Sequence, residues 1–343
     1  MNKTNTIGVD LAKNVFHRCI QDTKGHILEK TKLGRSQFKH FLATTPVSRV
    51  VFESCSTAHY WSRVANRYNH ESLLIHPAYV KPYLKTNKND FNDAEAICEA
   101  DSRPTMRYVA AKTIAQQDIQ LLHRIRQRQV QQRTALANQI RGQLLEYGVA
   151  IPQGISQVRS RLASILEDGE NELTPLARTL FDALRQEFCE VDDRVKQADK
   201  QVKQLANEHP ICQRLMKIPS IGPMIATALI SAIGNASSFK NGRELSAWLG
   251  LVPKQYSTGG QQRLLGISKR GDGYVRALLV QGALSAITRC KDRSDDQLLW
   301  ARGLQEKKDL QKAAVALANK TARIVWSVMA KDHDYVEVVK CST

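Results

Sequence analysis

Thr6-Ile7-Gly8-Val9-Asp10-Leu11-Ala12-Lys13 reads as a buried β-strand that runs into an acid. The strands that follow it fix the fold class. Val15 to Gln21 and His26 to Leu33 are rich in β-formers, and Asp22-Thr23-Lys24-Gly25 between them supplies a hairpin turn. Ser36 to Leu42 is a short amphipathic helix. Arg49-Val50-Val51-Phe52-Glu53 is a β-branched strand that again ends in an acid, Ala58 to Arg67 is a helix, and Ser72 to Pro77 is a strand stopped by proline. A meander followed by alternating helices and strands predicts an α/β layer over residues 1–105.

Side chains at strand ends border the crevice of such a sheet, where ligands sit. Asp10 and Glu53 end two of its strands. A third acidic position lies in Asn89-Asp90-Phe91-Asn92-Asp93-Ala94, where Asp90 and Asp93 stand at the start of a helix read over 92–100. Three residues are close to one helical turn, so both carboxylates share a face. Each acid has an ordinary reading by itself: a turn cap, a solvated strand end, or complements to a helix dipole. Together, four carboxylates at one point cannot all ionise without cations. Two hard divalent ions suit them, and magnesium is the usual choice for phosphate chemistry. Lys81, Lys85 and Lys88 interleave with Tyr79 and Tyr83 just before the Asp pair, a mixture suited to gripping nucleic acid.

The composition agrees. The chain has 343 residues, enough for two or three domains, and 50 basic against 33 acidic residues give a net charge of +17. A balance so far from neutral points to a polyanionic partner, nucleic acid. Seven cysteines are scattered with no Cys-x-x-Cys pair, which argues against a disulfide framework or a zinc site. No apolar run approaches the ~20 residues of a membrane span, and the N-terminus lacks a charged-then-apolar signal pattern. These features predict a cytoplasmic protein with no membrane partner.

Residues 106–210 read as helical. Ile114 to Tyr147 is one long helix whose Arg124, Arg126, Arg128, Arg133 and Arg141 do not fall on one stripe, so it is contacted from more than one side. Gly148 to Gly154 breaks it, and Ile155 to Leu166 is a short helix. Leu173, Leu176, Leu180, Leu184, Phe188, Val191, Val195, Ala198, Val202 and Leu205 then recur at spacings of three and four. They predict a helix with one apolar seam, paired with the first long helix as an antiparallel arm or with another protomer.

Residues 211–343 begin with Leu215 to Ala226, read as a helix, a tight turn freed by Gly222, and a second helix whose first amides can meet a phosphate. This is a helix-hairpin-helix-like element. Phe239 to Gly250 reads as a helix with Trp248 packed inside. Leu251 to Arg263, containing Tyr256-Ser257-Thr258-Gly259-Gly260, reads as a flexible exposed loop flanked by Lys254 and Arg263 and followed by Lys269, Arg270 and Arg276. Most such loops are turns. A serine among cations and glycines also has the means to attack phosphorus, since the cations neutralise the phosphate and the glycines permit close approach. Asp309 to Met329 is a further helix.

Ile7-Gly8-Val9-Asp10-Leu11-Ala12-Lys13, Val51-Phe52-Glu53-Ser54 and Asn89-Asp90-Phe91-Asn92-Asp93-Ala94 resemble the N-terminal motifs of the insertion-sequence transposases of family one-ten, and more closely its eleven-eleven subgroup. The serine loop resembles that family's C-terminal transposase domain, so the resemblance covers most of the chain. It implies a RuvC-like (RNase H-like) domain over 1–105 whose Asp-Glu-Asp-Asp tetrad is Asp10, Glu53, Asp90 and Asp93, binding magnesium. It implies a helical coiled-coil region over 106–210 for oligomerisation and RNA contact, and a mostly helical transposase domain over 211–343. The activity implied is cutting and rejoining of donor and target DNA through a covalent phosphoserine link. A structured guide (bridge) RNA would select the sites, and a homo-oligomer, a dimer or tetramer, would bring acids and serine together across protomers. The family places its serine before a glycine. Here Thr258 directly precedes Gly259 and Ser257 is one earlier, so either aligns; the less hindered primary hydroxyl favours Ser257. Lys85, Lys88, Arg124, Arg126, Arg128, Lys254, Arg263, Lys269, Arg270 and Arg276 are the candidate nucleic-acid contacts. The alternative is a metal-dependent, Holliday-junction-resolvase-like or structure-specific nuclease that uses the acids and water. A third reading is a non-catalytic architectural protein.

Overall fold

The computed structural model describes residues 4–84, 89–258, 261–289 and 295–336. They fall into two compact units, one of residues 1–115 with 233–238 and one formed by the rest.

The first unit is built on a six-stranded mixed sheet in the order β3-β2-β1-β4-β5-β6. Its elements run β1 (Thr6–Leu11), β2 (Val15–Gln21), β3 (Ile27–Gly34), α1 (Arg35–Thr44), β4 (Arg49–Glu53), α2 (Ala58–Arg67), β5 (Glu71–Ile75), a short α3 (Pro77–Val80), a single 3-10 turn at Lys81–Tyr83, α4 (Asp90–Asp101) and β6 (Tyr108–Val109). β1 pairs antiparallel with β2 and parallel with β4, β4 is parallel to β5, and β3 and β6 are antiparallel to their neighbours. Alternation along the strands separates two faces. On one face Ile7, Val9, Phe16, Val50, Phe52 and Leu74 are buried under Phe38 and Leu42 of α1 and Trp61, Val64 and Ala65 of α2. Phe16 stands edge-on to Phe38 at 5.2 Å and to Trp61 at 4.9 Å. Burying each such side chain stabilises the fold by about 1.5–3 kcal/mol, which pins α1 and α2 to this side.

The other face receives α4. Val51 and Ile75 pack against Ala96, Ile97 and Ala100, and Cys19 packs against Ala94 and Cys98. Gly8 is the point of closest approach. A Cβ there would lie 2.5 Å from the Ala94 carbonyl oxygen and 2.6 Å from Cys98 Sγ, and the Gly8 amide donates to that sulfur at 3.1 Å. α4 begins two residues earlier than its sequence suggests, because the Asn89 side chain accepts the Phe91 amide and caps it.

The second unit opens with three helices: α5 (Ile114–Leu145), α6 (Ile155–Glu167) and α7 (Pro175–Glu208). Thr174 caps α7 and Pro175 takes its first turn. The three bury one cluster: Leu136, Ile140 and Leu144 from α5, Val158 and Leu162 from α6, and Ala177, Phe181, Phe188 and Val191 from α7. The expected seam is displaced at its start. Leu176 and Leu180 are 70% and 58% exposed, and their neighbours Ala177 and Phe181 face inward. The size of the two leucines masks a small inward residue at 177. Asp192 of α7 is buried among Arg133 (2.8 Å), Arg159 (2.6 Å) and Lys196 (3.0 Å), so one carboxylate ties α5, α6 and α7 together. Burial alone would raise its pKa; hydrogen bonds from Arg159, Lys196 and Arg133 outweigh this and hold it at about 2.

Next come α8 (Pro210–Leu215), α9 (Pro223–Ile233), α10 (Gly242–Trp248), the hairpin β7 (Pro253–Thr258) and β8 (Gln261–Ile267), α11 (Gly273–Arg289), α12 (Asp296–Lys307) and α13 (Leu310–Ala330). Three expectations are corrected here. The left-handed residue in the α8–α9 turn is Ser220, with φ 78°, and not Gly222. The Ser220 carbonyl lies 2.3 Å from where a Cβ on Gly282 of α11 would stand, so the turn is fixed by packing on that helix. Leu251 to Arg263 is no flexible loop, because most of it forms β7 and the start of β8. Trp248 is half-buried, edge-on to Phe239 at 5.6 Å. No helix among the described residues is long and apolar enough to cross a membrane.

Two substitutions test this packing. Gly8→Ala forces α4 off β1 and is expected to destabilise the protein by about 2 kcal/mol or more in urea unfolding, within the range of overpacked cores. Asp192→Ala removes the counter-charge shared by Arg133, Arg159 and Lys196, of which Lys196 keeps Asp193 at 2.8 Å. Because they retain solvent contact, the cost is set at about 2 kcal/mol, below that of a fully buried pair. The depressed carboxyl contributes stability above its unfolded value of 3.8 and loses it as pH falls toward about 2, so wild type and variant converge in acid.

Candidate active site

Asp10 stands two residues beyond Gly8, on the same face of β1. Glu53 stands two beyond Val51 at the end of the neighbouring parallel strand. Asp90 and Asp93 occupy the first turn of α4. The close contact at Gly8 therefore brings the start of α4 over the ends of β1 and β4. One carboxylate oxygen each from Asp10, Asp90 and Asp93 lie within 4.8 Å of one another. Glu53 is outside that trio but close enough to feel it. Its carboxyl is raised above the usual range by burial, then by Asp10 and Asp93. Asp10 is raised by burial, then by Asp93 and Asp90, with His17 and the Leu11 amide acting in the opposite sense. Like charges this close favour a proton or a cation among them. An all-oxygen set of carboxylates fits a hard divalent ion, and the N-terminal end of α4 adds no hindrance to anionic ligands such as phosphate.

His17 was not singled out from the sequence. It is the Cα partner of Asp10 in the β1–β2 ladder. Its Nδ1 lies 3.5 Å from Asp90 Oδ2, its ring meets Phe91 edge-on at 4.7 Å, and it is buried. The available signal was the three-residue connection between β1 and β2, which sets the register that faces position 17 toward position 10.

Ser257 lies in the second unit, exposed on β7 opposite Gln262, and Gln255 Nε2 donates to its Oγ at 3.0 Å. Thr258 ends β7 opposite Gln261. Lys254 and Arg263 are exposed on the hairpin, and Lys269 and Arg270 are exposed after it. Arg276 donates to the Leu249 and Arg270 carbonyls at 3.0 and 3.1 Å, which joins the two segments flanking the hairpin. Those segments cross at Gly250 and Gly271, both at positive φ; a Cβ on Gly271 would lie 1.9 Å from the Trp248 carbonyl. Arg124 and Arg128 are exposed on α5, and Arg126 pairs with Asp199. Lys85 and Lys88 lie outside the described residues.

Residues 212–298 match a family model described as Transposase IS116/IS110/IS902 family. Residues 7–149 match the IS110-type DEDD transposase model. The chain is 39% identical over 335 residues to the transposase for insertion sequence element IS1111A of Coxiella burnetii, covering 98% of this chain and 92% of that protein. It is 40% identical over 328 residues to the IS1328 transposase of Yersinia enterocolitica, covering 96% and 97%. A probable family 20 transposase of Pseudomonas aeruginosa is 41% identical over 330 residues, covering 96% and 98%. The chain belongs to the IS110 family of insertion-sequence transposases. As an IS110-family transposase it is an enzyme that cuts and rejoins DNA, and the two matched segments bracket the whole of α6 and α7.

In this transposase the repulsion among the acids opposes folding when no cation is bound. A raised carboxyl stabilises the fold below its unfolded pKa, and that contribution is lost as pH rises through the folded value. Asp10→Asn is therefore expected to unfold at a higher temperature than wild type at neutral pH in chelator. Adding magnesium should raise the wild-type midpoint and leave the variant's nearly unchanged.

Proposed function

We propose that Asp10, Glu53, Asp90 and Asp93 hold magnesium and that Ser257 is the nucleophile of DNA strand exchange. The convergence of Asp10, Asp90 and Asp93 on one point carries the metal half of this reading. The order β3-β2-β1-β4-β5, with β1, β4 and β5 parallel, is in keeping with an RNase H-like, RuvC-like domain over 1–105. The bound cation would supply Lewis-acid stabilisation of charge at the phosphate. Asp10 and Glu53 would ligate from the rigid sheet, and Asp90 and Asp93 from the helix.

On the hairpin, the Gln255 amide donates to Ser257 Oγ and leaves the hydroxyl proton free to depart. Ser257 Oγ attacks phosphorus, the Oγ–P bond forms, one strand's P–O bond breaks, and the departing oxygen takes a proton. A strand hydroxyl from the second DNA then attacks the phosphoserine, which restores the serine and joins the strands. Lys254 and Arg263, exposed beside Ser257, would neutralise the phosphate. Thr258 is the competing hydroxyl. Residues 106–210 would act as a coiled-coil arm for assembly into a dimer or tetramer, and 211–343 as the transposase domain. A structured guide RNA would choose donor and target by base pairing, with Arg124, Arg126, Arg128, Lys269 and Arg270 reading backbone and shape. The charge of +17 suits both nucleic acids.

Incubating the protein with magnesium, its element's RNA and labelled donor and target DNA, then denaturing, tests the chemistry. A DNA–protein adduct is expected, lost in Ser257→Ala, retained in Thr258→Ala, and reduced by at least about 100-fold in Asp10→Ala, the scale of losing a catalytic electrostatic group. The reverse serine–threonine pattern would move the nucleophile to Thr258. Cleaved ends without any adduct would favour a junction-resolvase-like nuclease working by hydrolysis.

A further inference from the structure

The N-terminal unit contains a cleft of about 420 Å³ lined by Tyr79, Pro82, Tyr83, Thr105, Met106 and Arg107. One wall comes from α3 and the 3-10 turn, the other from the segment that leaves α4. Its floor is firm, because Tyr83 and Met106 rest on the buried cluster of Val51, Ile75, Val80 and Ile97. The Arg103 guanidinium lies over the Tyr83 ring at 5.3 Å and is itself held by Glu99 at 2.9 Å, so that ring is braced. Tyr79 is 44% exposed at the mouth, with its ring angled to His76 at 6.2 Å. Arg107 is exposed on the rim.

Exposed aromatic faces beside guanidinium groups suit an unstacked base and its phosphate. A base pair inside a duplex hides both faces in the stack and cannot use such a wall. The cleft is separate from the acid cluster. Asp90 and Asp93 are in the first turn of α4, and Thr105, Met106 and Arg107 of the cleft follow its last.

We propose that this cleft holds one unstacked nucleotide of a single strand, with the base against Tyr79 and its phosphate on Arg107. The inference rests on the transposase's handling of nucleic acid and on neither the metal nor the serine reading. Binding is therefore measured in chelator on the full chain carrying Asp10→Ala, where no cleavage occurs. The probes are a single-stranded DNA, a single-stranded RNA of the same sequence and a DNA duplex, each with one 2-aminopurine.

Tyr79→Ala is expected to weaken single-strand binding by about tenfold and to abolish quenching of the aminopurine, in line with the loss of one base–aromatic stack. Tyr79→Phe should bind and quench like the parent. Arg107→Ala should weaken binding and keep the quench. Duplex affinity should be unchanged in all three. An effect on DNA alone, or on RNA alone, assigns the strand that enters the cleft. The proposal is overturned if Tyr79→Ala binds and quenches like the parent, if Tyr79→Phe is as defective as Tyr79→Ala, or if the duplex weakens as much as the single strands.

Discussion

The van der Waals contact between α4 and β1 at Gly8 is the constraint on which the acidic site depends. Only hydrogen at that position lets the Ala94 carbonyl and Cys98 sulfur come so near the strand. Asp10 lies two residues above it on the same face, and Asp93 lies one residue before Ala94 on the helix. Distances among the carboxylates are thus set by apolar packing lower down, through Val51, Ile75, Ala96, Ile97 and Ala100. The carboxylates themselves repel. A fold that holds them together must draw the energy from elsewhere, and the buried face of α4 is where it comes from.

The second unit holds an exposed hydroxyl, that of Ser257, on a hairpin with a fixed base. A hairpin leaves Ser257 in solvent, and its base is clamped by two glycines that cross where no side chain would fit. Arg276 fastens both flanking segments through carbonyls. Behind them α13 is lined with small residues, Ala313, Ala314, Ala318 and Ala322, so α10 approaches until Gly242 touches the Arg323 backbone. A fixed base and an exposed position on β7 would both serve a hydroxyl that attacks a bulky polyanion, as proposed for Ser257.

Much of this was legible in the sequence. Acids that terminate β-branched runs gave Asp10 and Glu53, helical spacing gave Asp90 and Asp93, and α2 has the bounds its periodicity predicts. What escaped depends on register and on packing between distant segments. His17 faces the acids only because the β1–β2 ladder pairs it with Asp10, and a histidine inside a strand carries no local mark of that. The inward turn of Ala177 and Phe181 in place of Leu176 and Leu180 is decided by α5 and α6, to which spacing along α7 is blind. Ser257 and Thr258 read from the sequence as part of a loop, and the pairing of Tyr256 with Arg263 sets them in β7. Ser220 adopts the left-handed conformation beside a glycine that does not, because the turn must seat its carbonyl on Gly282. α11 and α12 were not read at all.

A chain of net charge +17 that concentrates acids at one point creates two opposite fields. The basic surface attracts a polyanion from a distance, but the acids would repel any phosphate that came within bonding range. A divalent cation, as proposed for this site, would resolve the conflict by removing the repulsion among the carboxylates and leaving residual positive charge toward the phosphate. An ion held there would bind the folded arrangement and find no matching site in the unfolded chain, so its binding energy would stabilise the docked α4 by mass action. Raised carboxyls at Asp10 and Glu53 are the mark of that tension in the cation-free state. Geometry held by packing at Gly8 and charge left unbalanced at Asp10 are therefore two sides of one design, in which the sheet and helix supply the distance and a bound cation would supply the sign.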